Sequence, residues 1–411
     1  MECFWYREQC SYTFSEKHYF MQIKFILFYI LSIITFWANA QCSDINEAKL
    51  KLSQNKPQES FKILKTVEVN FDKQKASLDD KCVSNYYFCF AVTYIQLANA
   101  EADVTKQVPH LEKSWDFFQK LYKLPKPDNG VLGEAASQYE QLAALFVNAG
   151  VDMYNLQSFA NALQLNLKAI AIYESMKKTE NLSSAKYNAT LSALASNQNE
   201  IACEFLKDLI AENFNNNNEV HYRLKAQALT DLGKIDEAIT LLKKAIVDFP
   251  NDVDLKFQQL NLLMAKKKNN ESLILIDDIL TKVKNRADIW VIKAQMLNGK
   301  GEVKASKDAY LKALEIEPNN EYALYGVAVF YISEANEMVD LLNKGTDANG
   351  KKIDEEELTE NIKASYNKAI HYLEKSISSN PKDLSSIEMI SKVYHALGME
   401  DKAMYYENKL K

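Results

Sequence analysis

Between Glu219 and Pro250 the apolar residues form two helical stripes with a glycine between them. Tyr222, Ala226 and Leu229 stand at i, i+4 and i+7, and Ala238, Leu242 and Ala245 line a second face. Gly233 separates the stripes and Pro250 closes the second. The pattern predicts two amphipathic helices joined by a tight turn. A step of 68 residues, twice 34, reproduces it: Trp290, Ala294, Leu297, Gly301, Tyr310, Ala313 and Pro318 take the corresponding places. The copy between, Val253 to Arg286, keeps Leu260 and Leu263 but carries Ser272 and Lys284 where alanine and proline are expected.

A helical hairpin with period 34 and these residue types at these places resembles the tetratricopeptide repeat. Small residues at 226 and 238 let the two helices approach closely, while large residues at 222 and 242 fill the space around the contact. One hairpin cannot bury its apolar face alone, so neighbours must stack. The resemblance implies an all-α fold: a solenoid of stacked antiparallel helix hairpins wound into a right-handed superhelix.

The expected array spans 143–411, with repeats near 143–176, 183–216, 219–252, 253–286, 287–320, 321–383 and 384–411. Gly150 and Ala162 open the first, and Ala189, Ala193, Ala202 and Leu206 mark the weaker second. The repeat at 321–383 is interrupted near 336–364, because Ala369, Leu373 and Pro381 reach the second-helix positions only after about 29 extra residues. With its charged insertion and terminal "YHALGMEDK" hairpin, this end is similar to a group of secreted bacterial tetratricopeptide proteins. Segment 41–142 reads as divergent helical repeats. One has Ala48 and Ser60 at its small positions, and another pairs "CVSNYYFCFAVTYIQL" with "PHLEKSWDFFQKLYKL" across a longer connection.

The segment "MQIKFILFYILSIITFWANA", 21–40, has a basic start at Lys24, an apolar stretch from Phe25 to Trp37 and an A-x-A site at Ala38 to Ala40. It predicts a cleaved signal peptide, since its apolar run falls short of the roughly 20 residues that span a bilayer. Residues 1–20 then read as an extension ahead of the true start at Met21. The mature protein is expected to be exported, periplasmic or held at the cell envelope, with no stable membrane anchor after cleavage.

Composition narrows the function. Glycine (10) and proline (7) are too scarce in 411 residues for a turn-rich β fold. The net charge of −6 is spread along the chain, which argues against nucleic acid as a ligand. The segment Asp347 to Leu358 fits a calcium loop in neither register tried, because Lys352 or Thr346 falls on a defining position. His110, His221, His371 and His395 are isolated, and no nucleophile or phosphate-binding motif occurs. The expectation is a non-enzyme without metal, cofactor or small-molecule substrate. Cys42 and Cys82, near the starts of consecutive first helices, could pair in an oxidising compartment; four unpaired thiols in the mature chain are the alternative.

What remains for function is the concave face. First-helix positions 2, 5, 9 and 12 of this repeat point into it. They supply Arg223 and Gln227, Phe257 and Asn261, Val291, Gln295 and Asn298, and Tyr322 and Tyr325. A strip of amides and aromatics with little net charge suits a protein or peptide partner, whose backbone needs donors and acceptors. The expected role is a binding scaffold. The alternative is a structural component of an envelope or secretion assembly, docked through its convex face and the insertion.

Overall fold

The computed structural model describes Lys24, residues 40–346 and residues 349–410. The expected extension 1–20 and signal segment 21–40 lie outside the described residues, apart from Lys24 and Ala40. Among the described residues the chain is built of α-helices and two short 3-10 turns, with one isolated antiparallel bridge from Thr346 to Lys352. None of the described helices is long and apolar enough to cross a membrane. The helices form two compact units, divided between Gly233 and Lys234.

The first unit holds α1 (40–53), α2 (Pro57–Gln74), α3 (Asp80–Ala100), α4 (Val104–Tyr122), α5 (Asn129–Asn155), α6 (Phe159–Ser175), α7 (Leu182–Ala195), α8 (Asn199–Ala211) and α9 (Asn218–Asp231). From α2 onward each helix packs on the next, and α5 also touches α3 and α7, so alternate helices lie side by side. Every residue of α3 from Cys82 to Ile95 is buried. A helix covered all round must satisfy its polar groups internally. Asn85 accepts from Lys49 Nζ at 3.1 Å, Thr93 shares a 3.0 Å hydrogen bond with Ser60, and Ser84 donates to its own helix. Phe71 stacks on Tyr86 and Phe90 on Phe117. Cys42 and Cys82 form a disulfide, with Cα atoms 5.5 Å apart, that ties α1 to α3.

The longer connection expected before Pro109 is not there. Helix α4 starts at Val104 after a connection of only three residues from the end of α3, with Asp103 accepting from the Thr105 amide at 2.9 Å. Pro109 sits inside the helix rather than at its first turn, where proline is most at home.

The second unit holds α10 (Ile235–Asp248), α11 (Val253–Ala265), α12 (Asn269–Lys282), α13 (Ala287–Gly299), α14 (Val303–Ile316), α15 (Glu321–Lys344), α16 (Glu355–Ser379), α17 (Leu384–Ala396) and α18 (Glu400–Glu407). Each closing proline is followed two residues later by the cap of the next helix. Asp252, Asn320 and Asp383 accept from the amides of Leu255, Ala323 and Ser386 at 2.9, 3.1 and 3.2 Å. Proline ends one helix, and an acceptor side chain holds the free amides of the next.

The turn inside each hairpin uses one left-handed residue. Gly301 adopts φ 78°, and the degenerate copy places Lys267 at φ 55° in the same role. Turn geometry is therefore kept where its glycine is lost. The degenerate copies also lose the aromatic that Tyr222 and Trp290 supply. Lys256 stands there, 2% exposed, with its Nζ 2.5 Å from Asp278 of α12. In the first unit Lys186 and Asp208 make the same pair, also at 2.5 Å. An ion pair between the helices of one hairpin thus takes the place of a packed ring.

The insertion expected near 336–364 is not a separate appendage. Its residues lengthen both α15 and α16, which run on together as one long hairpin. Ala335 and Ile362 are buried in the extension, and Tyr366 Oη donates to Asn336 Oδ1 at 2.7 Å. The apolar rhythm continues through the charged stretch, so the added turns pair with each other.

Candidate functional site

Arg223 and Gln227 lie on α9 in the first unit. Arg223 is half-buried; Gln227 is exposed and donates to Asp231 Oδ1 at 2.7 Å. The other expected groove residues lie on α11, α13 and α15, the first helices of three successive hairpins of the second unit.

These residues divide by exposure. Asn261, Gln295 and Asn298 are exposed, and Tyr322 is 63% exposed. Phe257 is half-buried beneath Arg286, whose guanidinium lies 5.1 Å from the ring centre and is held by two hydrogen bonds to Asp288 at 2.9 and 2.7 Å. Hydrogen bonding to Arg286 holds the Asp288 carboxyl below the usual range. Val291 does not belong to the surface. It is 6% exposed and packs in the core with Ala287, Ala294 and Ala323. Residue 291 is one turn before 294 and 295, on the border between the packed and open faces of α13, and here packing claims it.

Two of the expected residues converge. Asn298 of α13 and Tyr325 of α15 line a cleft of about 190 Å³ with Ser306, Lys307 and Tyr310 of α14. Gly326 shapes its floor, since a Cβ there would strike the ring of Tyr310. Ser306 Oγ is already committed, donating to Ala294 O of α13 at 2.8 Å. Tyr325 is half-buried, and its hydroxyl pKa is pushed up by that burial and by Asp383 and Glu388.

Lys307 is the residue that reading the first helices alone misses, because it belongs to a second helix. Its Nζ lies 4.0 Å from the ring centre of Phe330 and 4.2 Å from that of Tyr331. The cleft mouth therefore presents a cation on aromatic faces beside an amide and a phenol. A lysine six residues after the hairpin glycine Gly301, about one turn inside α14, carries no distinctive spacing, so only the fold reveals it.

This surface has hydrogen-bond donors, acceptors and aromatic area. It can hold a chain segment, and no side-chain pair on it is arranged as nucleophile and base. Among the described residues no cluster of three or more His, Cys, Asp or Glu could hold a metal ion.

The tetratricopeptide repeat family profile matches residues 222–246 and 287–320. A curated relative, the rRNA biogenesis protein RRP5 of Drosophila melanogaster, is 30% identical over 104 residues, 24% of this chain and 7% of that protein. The chain therefore spans about 7% of the length of the curated relative it matches. Among solved structures, the C-terminal part of a TPR repeat-containing protein from Cytophaga hutchinsonii is similar over 64% of this chain and 93% of its own, at 13% identity and a TM-score of 0.46. MamA covers 45% of this chain and 91% of its own, at 20% identity and a TM-score of 0.35. YrrB, described as a TPR protein with an unusual peptide-binding site, covers 47% and 95%, at 17% identity and a TM-score of 0.36.

Proposed function

We propose that this all-α tetratricopeptide-repeat chain is a non-catalytic scaffold that binds a protein or peptide at the cell envelope. The observation that carries the reading is the exposed strip on α11, α13 and α15. Tyr322 is left 63% exposed one turn from Tyr325, beside a cleft that already holds an amide and a cation. Large aromatics in such positions tend to anchor interfaces, and truncating an anchor costs on the order of 2 kcal/mol. Export is supported by the signal-like segment 21–40 and by the Cys42–Cys82 disulfide, a bond that oxidising compartments maintain.

The test is binding of the partner to Tyr322→Ala combined with Asn298→Ala. Both side chains are exposed, so helix content should hold while affinity falls more than tenfold; unchanged affinity would remove the strip from the account.

A second reading has its own observation. The α15–α16 hairpin outreaches its neighbours by about ten residues per helix, roughly 15 Å, and Glu355, Glu356 and Glu357 crowd the first turn of α16. If the chain docks into an assembly through this arm, Glu356→Ala will weaken docking and the strip variant will not.

A further inference from the structure

Two contacts set the direction of the cleft between α14 and α15. Tyr310 of α14 lies against Gly326 of α15. Lys307, three residues earlier, lies over Phe330, four residues later. The helices are therefore antiparallel here, and the cleft runs between them. Along its α15 wall Tyr325, Val329 and Ser333 follow at i, i+4 and i+8, a rise of about 12 Å. Asn298 of α13 and Val303 of α14 both border the Gly301 turn, beyond Lys307. The cleft thus has two unlike ends. Tyr310 and Tyr325 occupy one, while Lys307, Ser333 and Asn298 gather at the other.

Among the described residues lining the cleft, Lys307 is the one that carries a charge, and no acid pairs with it. The side chains of Asn298, Ser333 and Tyr325 make no hydrogen bond to another described residue. A second ammonium, Lys368 of α16, lies 5.3 Å from the Tyr331 ring centre, and it too has no acidic partner among the described residues. The rings of Phe330 and Tyr331 displace water from Lys307, and an anion meeting a cation with less water around it is held more strongly. Val303, 43% exposed, and half-buried Val329 leave the rest of the wall apolar.

We infer that this cleft binds a small aromatic monocarboxylate, its carboxylate received by Lys307, Ser333 and Asn298 and its ring laid along Val329 toward Tyr310. The walls select this ligand. Lys307 is a donor without acceptor capacity, so the group beside it must accept, and a cation is repelled. One ammonium in the cleft balances one negative charge, whereas a phosphoryl group carries about −1.5 to −2 at pH 7. The volume of about 190 Å³ exceeds the roughly 150 Å³ cavity that admits benzene, so a single ring with its carboxylate is accommodated. A residue inside a peptide offers neutral amides and leaves Lys307 unpaired. This ligand goes beyond the reading of the strip as a protein-binding surface and does not depend on it.

The experiment titrates the full chain with benzoate and follows the Gly326 and Ser333 backbone amides by NMR. Saturable shifts at both are expected. Benzamide keeps the ring without the charge, and acetate the charge without the ring; each should bind about tenfold more weakly or worse. Lys307→Met keeps an apolar stem on Phe330 and removes the ammonium. It should weaken benzoate by about tenfold, to the level of benzamide, with the melting temperature unchanged, while Lys307→Arg keeps the binding. Tyr322 does not line the cleft, so Tyr322→Ala should leave benzoate binding unchanged; loss of a protein partner and loss of this ligand are thereby told apart. Absence of saturation, benzamide binding as tightly as benzoate, or undiminished benzoate binding by Lys307→Met would overturn the proposal. N-acetylphenylalanine binding more tightly than benzoate would overturn the free acid as the ligand and assign the cleft to the C-terminal residue of another chain.

Discussion

Lys256 and Asp278 pair between α11 and α12 with very different exposures: the lysine side chain is 2% exposed and the aspartate 47%. The asymmetry predicts an asymmetric response. Asp278→Ala leaves an ammonium buried without its partner. Removing one member of a buried pair costs about 3–5 kcal/mol; water reaching the vacated site reduces this to about 2 kcal/mol here. Lys256→Met leaves a carboxylate that is already half in water and fills the lysine's volume with an apolar chain, so it should cost under about 1 kcal/mol. The double variant should resemble Lys256→Met alone, giving a coupling of at least about 1 kcal/mol. Repeat arrays need not unfold in one step, so the assay is hydrogen exchange of α11 and α12 amides. A loss of about 2 kcal/mol appears as roughly thirtyfold faster exchange. Equal effects from the two single variants, or effects that add, would refute the account of this pair as a buried cation with a solvated partner.

Other outcomes follow from the same structure. The left-handed turn at φ 78° makes Gly301→Ala destabilising by about 1–2 kcal/mol, and Lys267→Gly, at φ 55°, stabilising by a fraction of that, both read by denaturant midpoints. His395 contacts Glu407 at 2.9 Å and Glu400 at 2.8 Å, and the hydrogen bond to Glu407 above all, with Glu400, raises its pKa from the ordinary 6.5. Its contribution is therefore present in full below pH 6.5 and lost as pH rises through the folded value; protection of α17 and α18 amides, taken relative to the intrinsic exchange rate at each pH, should fall over that range in the wild type and not in His395→Gln. Reducing the Cys42–Cys82 bond, which closes a separation of 40 residues, should destabilise α1 to α3 by about 4 kcal/mol on the chain-entropy estimate, measured as a shift in their denaturant midpoint.

The hairpins were legible because their signals are local. Gly233, Gly301, Pro250 and Pro318 mark turns and ends by backbone chemistry that any context preserves. What the one-dimensional pattern obscured was tertiary. Pro109 reads as a helix start, yet α4 accepts it in its interior because Asp103 caps the chain earlier. Charged residues after Tyr331 read as an insertion, while Ala335 and Ile362 were keeping the helices paired underneath. Nothing in the repeat pattern singles out Lys186 or Lys256, although an aspartate 22 residues on, at 208 and 278, accompanies each.

The candidate site was legible only in part for a related reason. Position along a first helix says which way a side chain leaves the backbone, and it places Asn261, Gln295, Asn298 and Tyr322 on an exposed face. It does not say how far a neighbouring helix covers that side chain, which is why Val291 is core and Tyr325 half-buried. Lys307 comes from a second helix, α14, and the cleft it lines also draws on α13 and α15.

The most direct test of the binding account is site-specific photocrosslinking of the full chain in the cells that make it. The crosslinker is placed at exposed Gln295 on the strip and, separately, at exposed Glu356 on the α16 arm. The account predicts that Gln295 traps a defined protein from the envelope fraction, and that Tyr322→Ala with Asn298→Ala abolishes the adduct. A defined adduct from Glu356 alone, untouched by those two substitutions, would contradict it and make the long hairpin the docking surface.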